Sequence, residues 1–381
     1  MDFTIPEELQ MLKDTVAHFV REELFPIEEK VDEEDHIPEP VVDKMRKMGL
    51  FGITIPQEYG GLGLSMVGTC LVYEEIAKAS ACFRTRIGTN NGIGSQGILV
   101  FGSEEQKQKF LPGIASGQKT ACFALTEPNS GSDAAAMETT AVLQGDHWVL
   151  NGQKRWTTNV NAADYITVYA VTDKQKRARG GITAFVVEKG FTGVQVGPVD
   201  KKMGMRGSHT CDLILEDCRV PQENVIGKVG DGFKVAMQVL DRGRLTMAAC
   251  SVGAAQRLQD ESIGYAKTRR QFGQPIGSFQ LIQAMLADSA CEIYAGRSMM
   301  LQAAWRKDEG QNVTKDAAMA KLWCSEMVGR VADRAVQIHG GMGYMRGMAA
   351  ERFYRDVRLI RIYEGTSEIQ RLVVARELLK D

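Results

Sequence analysis

The stretch "DHWVLNGQKRWTTN", residues 146–159, decides how the rest of the chain is parsed. It is a β-rich run around Asn151-Gly152, a pair that signals a hairpin turn. Four other runs share its character: "ACFALTEP" (121–128), "YITVYAVT" (165–172), "ITAFVVEK" (182–189) and "TCDLILEDCRVP" (210–221). All are short and separated by turn residues. Residues 119–227 are therefore expected to form a small antiparallel β-barrel or sandwich.

The flanks carry the helical period instead. "PEELQMLKDTVAHFVREEL" (6–24) places Leu9, Leu12, Val16, Phe19 and Val20 on one face. "PVVDKMRKMG", "MVGTCLVYEEIAKAS" and "SEEQKQKFLPGIASG" follow as further helices, the second of the four closed by Gly49 and the last opened by Ser103. After Gly230 the period returns in four segments: Phe233 to about Arg270, 279–310, 314–341, and a capped piece at the end. Long helices with short connections make a bundle. The expected architecture is a multidomain α+β chain, with a helical domain over 1–118, the β domain over 119–227 and a four-helix bundle over 228–381.

Bulk properties narrow the function classes. A net charge of −2 argues against nucleic acid as a partner. No apolar run approaches membrane-spanning length, and "MDFTIPEELQ" lacks the regions of a secretory signal. The eight cysteines and five histidines are scattered, with no metal-ligand spacing. The expectation is a reduced compartment, cytoplasmic or, for a processed protein, the mitochondrial matrix, and no metal.

Several short pieces can carry chemistry. In "RIYEGTSEIQR" (361–371), Glu364 lies on a loop before a helix whose cap reads as Ser367 with Gln370 in a capping box. By itself such an acid is an ordinary surface residue near a helix dipole. "HGGMGY" (339–344) follows a helix, not a strand, so it is no dinucleotide fingerprint and reads as a C-cap. "TEPNSGSD" (126–133) is a loop rich in hydroxyls and free N–H groups. Trp156 in "RWTTN" (155–159) reads by default as a core ring. "TRRQFG" (268–273) puts two arginines at a junction of bundle helices, which suits an anionic diphosphate.

These pieces also occur in one order: "ALTEPNSGSD", "LNGQKRWTTN", "TRRQFGQPIG", "QIHGGMGY", "IYEGTSEIQRL". Together they resemble the acyl-CoA dehydrogenase family over essentially the whole chain, and "ERFYRDVRLIRIYEGTSEIQRLVVAR" is similar to its short-chain members. The resemblance implies an FAD enzyme that desaturates an acyl-CoA to a trans-2-enoyl-CoA and passes electrons to an electron-transfer flavoprotein. It implies a homotetramer built as a dimer of dimers. The same fold running backwards as an enoyl-CoA reductase is an alternative, and a non-catalytic binding protein is a third reading that a retained Glu364 disfavours.

By resemblance, Glu364 is the base. Phe123, Leu125, Thr126, Gly131 and Ser132 are expected against FAD, as are Trp156, Thr157 and Thr158. Arg269, Gln280, Gln337, Gly340 and Gly341 are expected to reach FAD across a subunit interface, and Thr366, Ser367 and Glu368 to return to it. Ser132, Asp241, Arg244 and Gly365 are expected to face substrate. Members that carry their base in the long helix would need an acid where this chain has Gly243. Phe83-Arg84-Thr85 is similar to the glutaryl-type pattern, which makes Arg84 a candidate for a second substrate carboxylate. The alternative is that Arg84 pairs with Glu74 or Glu75. Arg84 and Arg86 stand two apart, so on a helix one is expected inward and the other toward solvent.

Overall fold

The computed structural model describes residues 4–380; Met1–Phe3 and Asp381, at the ends of the two expected outer domains, lie outside them. Seven helices come first: α1 (Glu7–Phe19), α2 (Glu28–Glu34), α3 (Glu39–Lys47), α4 (Met66–Ile76), α5 (Ala81–Asn91), α6 (Gln96–Phe101) and α7 (Glu104–Ala115). The reciprocal bonds of a capping box, Ser103 with Gln106, start α7. Sequence patterning misses α2, because "EEKVDEE" shows a single apolar residue, Val31, on its buried face. The shorter α6 escapes it as well.

The β region contains β1 (Ala121–Ala124), β2 (Thr140–Gln144), β3 (His147–Thr158), β4 (Tyr165–Val171), β5 (Ile182–Glu188), β6 (Val194–Val196), β7 (Thr210–Pro221) and β8 (Val225–Ile226). They form one sheet in the order β6-β7-β3-β2-β4-β5-β8, with β1 beside β4. Most pairs are antiparallel, but β1 runs parallel to β4.

The expected Asn151-Gly152 hairpin is not there. Both residues lie inside the single strand β3, and the turn before it is Gly145-Asp146, closing Gln144 against His147. Asn-Gly instead makes a bulge, where the register against β7 shifts between Leu150 and Gly152. The Asn151 amide and the Asp217 backbone and carboxylate bond one another. Gly152 lets Thr139 approach, since a Cβ there would stand 2.4 Å from Thr139 Oγ1.

The long helix α8 (Gly232–Thr268) leads through a hairpin, β9 (Arg270–Gln271) and β10 (Gln274–Pro275), into α9 (Gln280–Asp308) and α10 (Thr314–His339). The short α11 (Ala349–Val357), not anticipated from sequence, precedes α12 (Ser367–Leu378). Tyr73, Phe83, Leu245, Met247, Val328 and Phe353 belong to one continuous core, so the first and last helical regions are packed into each other. That shared core brings α5, α8, α10 and the loop before α12 to one place.

Candidate active site

The loop from Tyr363 to Thr366 turns through two left-handed residues, Glu364 (φ 54°) and Gly365 (φ 87°). Glycine takes this conformation freely, whereas for a glutamate it costs about 1 kcal/mol or more. Hydrogen bonds hold it. The Gln370 amide donates to the carbonyls of Glu364 (3.2 Å) and Gly365 (3.0 Å), and Lys321 Nζ donates to the Gly365 carbonyl at 2.7 Å. Thr366, not Ser367, is the N-cap of α12, its hydroxyl accepting from Ile369 N. Ser367 instead donates to Glu326 Oε1 at 2.6 Å, and Gln370 is spent on the loop carbonyls, so the expected capping box is absent.

The turn throws the Glu364 side chain back onto α8, where only 11% of it is exposed. Its carboxylate packs on Gly243: a Cβ at that position would lie 2.1 Å from Oε2. Oε2 has no hydrogen-bond partner among the described residues. Burial raises the pKa of this carboxyl, and Arg84, Lys321 and Arg244 partly oppose the rise. An acid that is dry, partnerless at one oxygen and raised in pKa has the attributes of a general base.

Arg84 projects inward from α5, as expected. Its Nη2 stands 3.9 Å from Glu364 Oε1 and 3.2 Å from Met247 Sδ, its guanidinium lies over the Tyr73 ring, and its Nε has no partner among the described residues. The local-acid alternative fails, because Glu74 is taken by Arg297 at 3.0 Å and Glu75 by Lys13 and Lys78. Arg86 is not solvent-facing. It is half-buried over Phe51 and donates to Thr120 Oγ1 at 3.3 Å. Asp241 and Arg244 pair with each other on α8, and Thr314 Oγ1 donates to Asp241 at 3.0 Å. Arg244 is buried near the base, so these two hold the wall of the site.

A second pole lies in the β domain. The loop after β1 is stapled from beneath by a buried pair: Lys154 Nζ reaches Glu127 Oε1 at 2.7 Å and the Leu125 carbonyl at 3.3 Å. Glu127 also accepts from the amides of Glu138 and Thr139. Arg155 N donates to the Thr126 carbonyl at 2.8 Å, which joins this loop to the end of β3. Leu125 is buried and Phe123 half-buried against Tyr169, while Gly131 and Ser132 are exposed. Trp156 is no core residue: it is 59% exposed and has φ 53°. Beside it, Thr157 Oγ1 is buried without a partner among the described residues, and Thr158 is half-buried in the β3–β7 ladder. An open ring face and an orphaned hydroxyl suit a flat, polar heterocycle such as a flavin.

The remaining expected cofactor residues form a third group. Arg269, Gln280, Gln337, Gly340 and Gly341 are all exposed, around the β9–β10 hairpin and the end of α10. Tyr265 stacked on His339, with ring centroids 4.5 Å apart, joins the two segments. No hydrogen bond links this corner to the 126–133 loop within the chain, among the described residues. Glu368 is exposed on the first turn of α12 and Gly365 half-buried. Sequence reasoning missed Lys321, although a lone lysine amid the apolar residues of "AMAKLWCSEM" (318–327) was its signal.

Known proteins share this architecture. Residues 6–118, 122–218 and 230–379 match the N-terminal, middle and C-terminal domains of acyl-CoA dehydrogenase. The chain belongs to the acyl-CoA dehydrogenase family. It is 46% identical to a probable acyl-CoA dehydrogenase of Bacillus subtilis, covering 100% of both chains. It is 45% identical to the human mitochondrial short-chain specific acyl-CoA dehydrogenase, covering 99% of this chain and 91% of that one. A caffeyl-CoA reductase-Etf complex subunit of Acetobacterium woodii is 43% identical, over 98% of this chain and 99% of that one. Among solved structures, butyryl-CoA dehydrogenase from Megasphaera elsdenii superposes with TM-score 0.97 at 38% identity, with 100% of each covered. A glutaryl-CoA dehydrogenase–glutaryl-CoA complex gives 0.96 at 39%, covering 100% and 97%. A Bacillus anthracis acyl-CoA dehydrogenase complexed with FAD gives 0.92 at 38%, covering 98% and 67%. This acyl-CoA dehydrogenase is an FAD-dependent oxidoreductase acting on CH–CH bonds. Among the described residues, no helix is long and apolar enough to cross a membrane.

Proposed function

We propose that Glu364 is the base that removes the proton next to the thioester carbonyl of an acyl-CoA, giving a trans-2-enoyl-CoA. The observation that carries this is the carboxylate itself: desolvated, lacking a partner at Oε2 and raised in pKa by burial. Such a group is basic enough to take a weakly acidic carbon-bound proton near neutral pH. FAD, when bound, supplies the hydride acceptor that no side chain provides. Phe123, Leu125, Thr126, Gly131, Ser132, Trp156, Thr157 and Thr158 would hold it, with Thr366, Ser367 and Glu368 nearby and Arg269, Gln280, Gln337, Gly340 and Gly341 contributed by a neighbouring subunit of a tetramer. Ser132, Gly365, Asp241 and Arg244 belong to the substrate wall. The Acetobacterium relative supports an electron-transfer flavoprotein as redox partner and keeps the reductive direction open. A cytoplasmic location is consistent with the bacterial relative.

One observation favours a narrower substrate class. Arg84 is buried, aimed into the site and unpaired at Nε, and a buried guanidinium seeks an anion. A dicarboxylic acyl-CoA of the glutaryl type satisfies it. The test is dye-coupled turnover of glutaryl-, adipyl-, butyryl- and hexanoyl-CoA by wild type, Arg84→Met and Glu364→Gln. Glu364→Gln is expected to stay folded and yellow while losing about two to four orders of magnitude in kcat. Arg84→Met is expected to lose the dicarboxylic substrates selectively. An unchanged ranking, with plain chains ahead in both proteins, removes the dicarboxylic reading alone.

A further inference from the structure

Lys321 lies in the first third of α10 with no exposed surface, yet it forms no ion pair among the described residues. Its single hydrogen bond ends on the carbonyl of Gly365, the residue after the base. A buried ammonium without a carboxylate in contact is costly, and an apolar residue of similar volume would fill the same space at less cost. We propose that Lys321 is a positioning residue for Glu364: its ammonium fixes the left-handed Glu364–Gly365 turn from below and lends the buried carboxylate a nearby positive charge. The inference rests on the reading of Glu364 as the base.

Three elements meet at this turn. Gln370 on α12 holds the same Gly365 carbonyl but is neutral, and Gly243 on α8 leaves the space that the carboxylate fills. The charged groups facing Lys321 are Glu364 on the loop, Arg244 on α8, Glu326 on its own helix and Glu368 on α12. Those facing Glu364 are Arg84 on α5, Lys321, and Arg244 on α8. Two of these groups are already matched, Arg244 by Asp241, and Glu326 by Arg361 and Ser367. That leaves two cations to act on the base, Arg84 at 3.9 Å from Oε1 and Lys321, and of these only Lys321 also holds the turn that carries it. Burial brings its own pKa down to about 8, so it remains protonated where the base works. With that charge present the carboxylate ionises at lower pH than burial alone would allow.

The experiment compares wild type, Lys321→Met, Lys321→Gln and Glu364→Gln as FAD-loaded holoenzymes. Turnover of an acyl-CoA that wild type accepts is followed from pH 5.5 to 9. Lys321→Met is expected to lose about tenfold in kcat with KM little changed, less than the roughly 100-fold of a full ångström's displacement because Gln370 still holds the turn. Its acid limb should also move up by about one pH unit, as removal of a neighbouring cation requires. Lys321→Gln retains a donor for the Gly365 carbonyl, so it should recover most of kcat while its acid limb stays displaced. An acid limb at the wild-type position in both variants overturns the proposal, whether or not flavin content or melting temperature falls. Should Lys321→Met not fold, the acid limb of Lys321→Gln decides alone. Full turnover by Glu364→Gln would instead defeat the assignment of the base, separately from the role of Lys321.

Discussion

Among the described residues two lysines are entirely buried, and each donates a hydrogen bond to the backbone of a loop at the candidate site. Lys154 supports the loop after β1 through the Leu125 carbonyl, and Lys321 supports the base loop through the Gly365 carbonyl. Burial depresses both to about 8. The difference is their counter-charge. Lys154 touches Glu127 at 2.7 Å, whereas Lys321 touches no carboxylate among the described residues, although Glu364 is the acid that influences it most. A closed pair spends its charge on holding a loop still. An open one leaves the carboxylate free to exchange a proton. The same residue type is thus scaffold at the flavin-side pole and part of the reactive apparatus at the other.

The largest effect is expected from breaking the closed pair. Glu127→Gln leaves Lys154 buried without its anion, a change that typically costs about 3–5 kcal/mol. Glu138 N and Thr139 N donate to different oxygens of Glu127, so the single amide oxygen keeps one of these bonds and the variant loses the other along with the charge. Without Glu127 the pKa of Lys154 falls further below that of an unfolded lysine, about 10.4. The folded state then holds fewer protons than the unfolded one, so stability must rise with pH across that window. Denaturant titrations at pH 7 and pH 10 should show the deficit shrinking at the higher pH. A variant as stable as wild type at pH 7 would erase the distinction between the two lysines.

The comparison also explains what the sequence disclosed. The order of helical, β and helical segments was legible because periodicity is a local property of the chain. The family was legible through a run of motifs in fixed order, and the base proposed at Glu364 follows from that run. Positions that act through space were not. Nothing in "LDRGR" announces that Gly243 exists to seat a carboxylate from a loop more than a hundred residues away. Asn151-Gly152 misled for the same reason, since the choice between a turn and a bulge was made by Asp217 on β7 and Thr139 just before β2. Thr366 took the cap because Ser367 and Gln370 were drawn into contacts with Glu326 and the base loop.

A second substitution probes the open pole with stability moving the other way. Gly243 lies in the interior of α8, where glycine is less favourable than alanine by about 0.5–1 kcal/mol. Gly243→Ala therefore improves the helix locally while pushing a methyl group into Glu364 Oε2. Displacing a base by an ångström costs about 100-fold in rate. The expected variant keeps its flavin and a melting temperature near that of wild type, yet loses about 100-fold in kcat. A fully active Gly243→Ala would mean that the carboxylate works from somewhere other than the pocket on α8, and the contrast with the stapled loop would fall.

The smallest effect tests whether the flavin-side pole, unlike the base pole, needs a second subunit. The Arg269 side chain is exposed at the junction of α8 and β9 and makes no hydrogen bond or ion pair among the described residues, and Phe272 nearby is 93% exposed. An arginine with no intramolecular task at a corner of exposed residues fits contact with a flavin held by a neighbouring subunit. One charge-assisted hydrogen bond contributes about 1.5–3 kcal/mol, and partial exposure places it at the low end. Arg269→Ala should accordingly weaken FAD binding by about tenfold, read from quenching of flavin fluorescence as apoprotein is titrated, with little change in the melting of the apoprotein. Light scattering during dilution adds the decisive control. If flavin loss tracks dissociation of the assembly, and the variant starts to lose FAD at higher protein concentration than wild type, the corner serves a shared site. A wild-type monomer that remains saturated with flavin would show both poles complete within one chain.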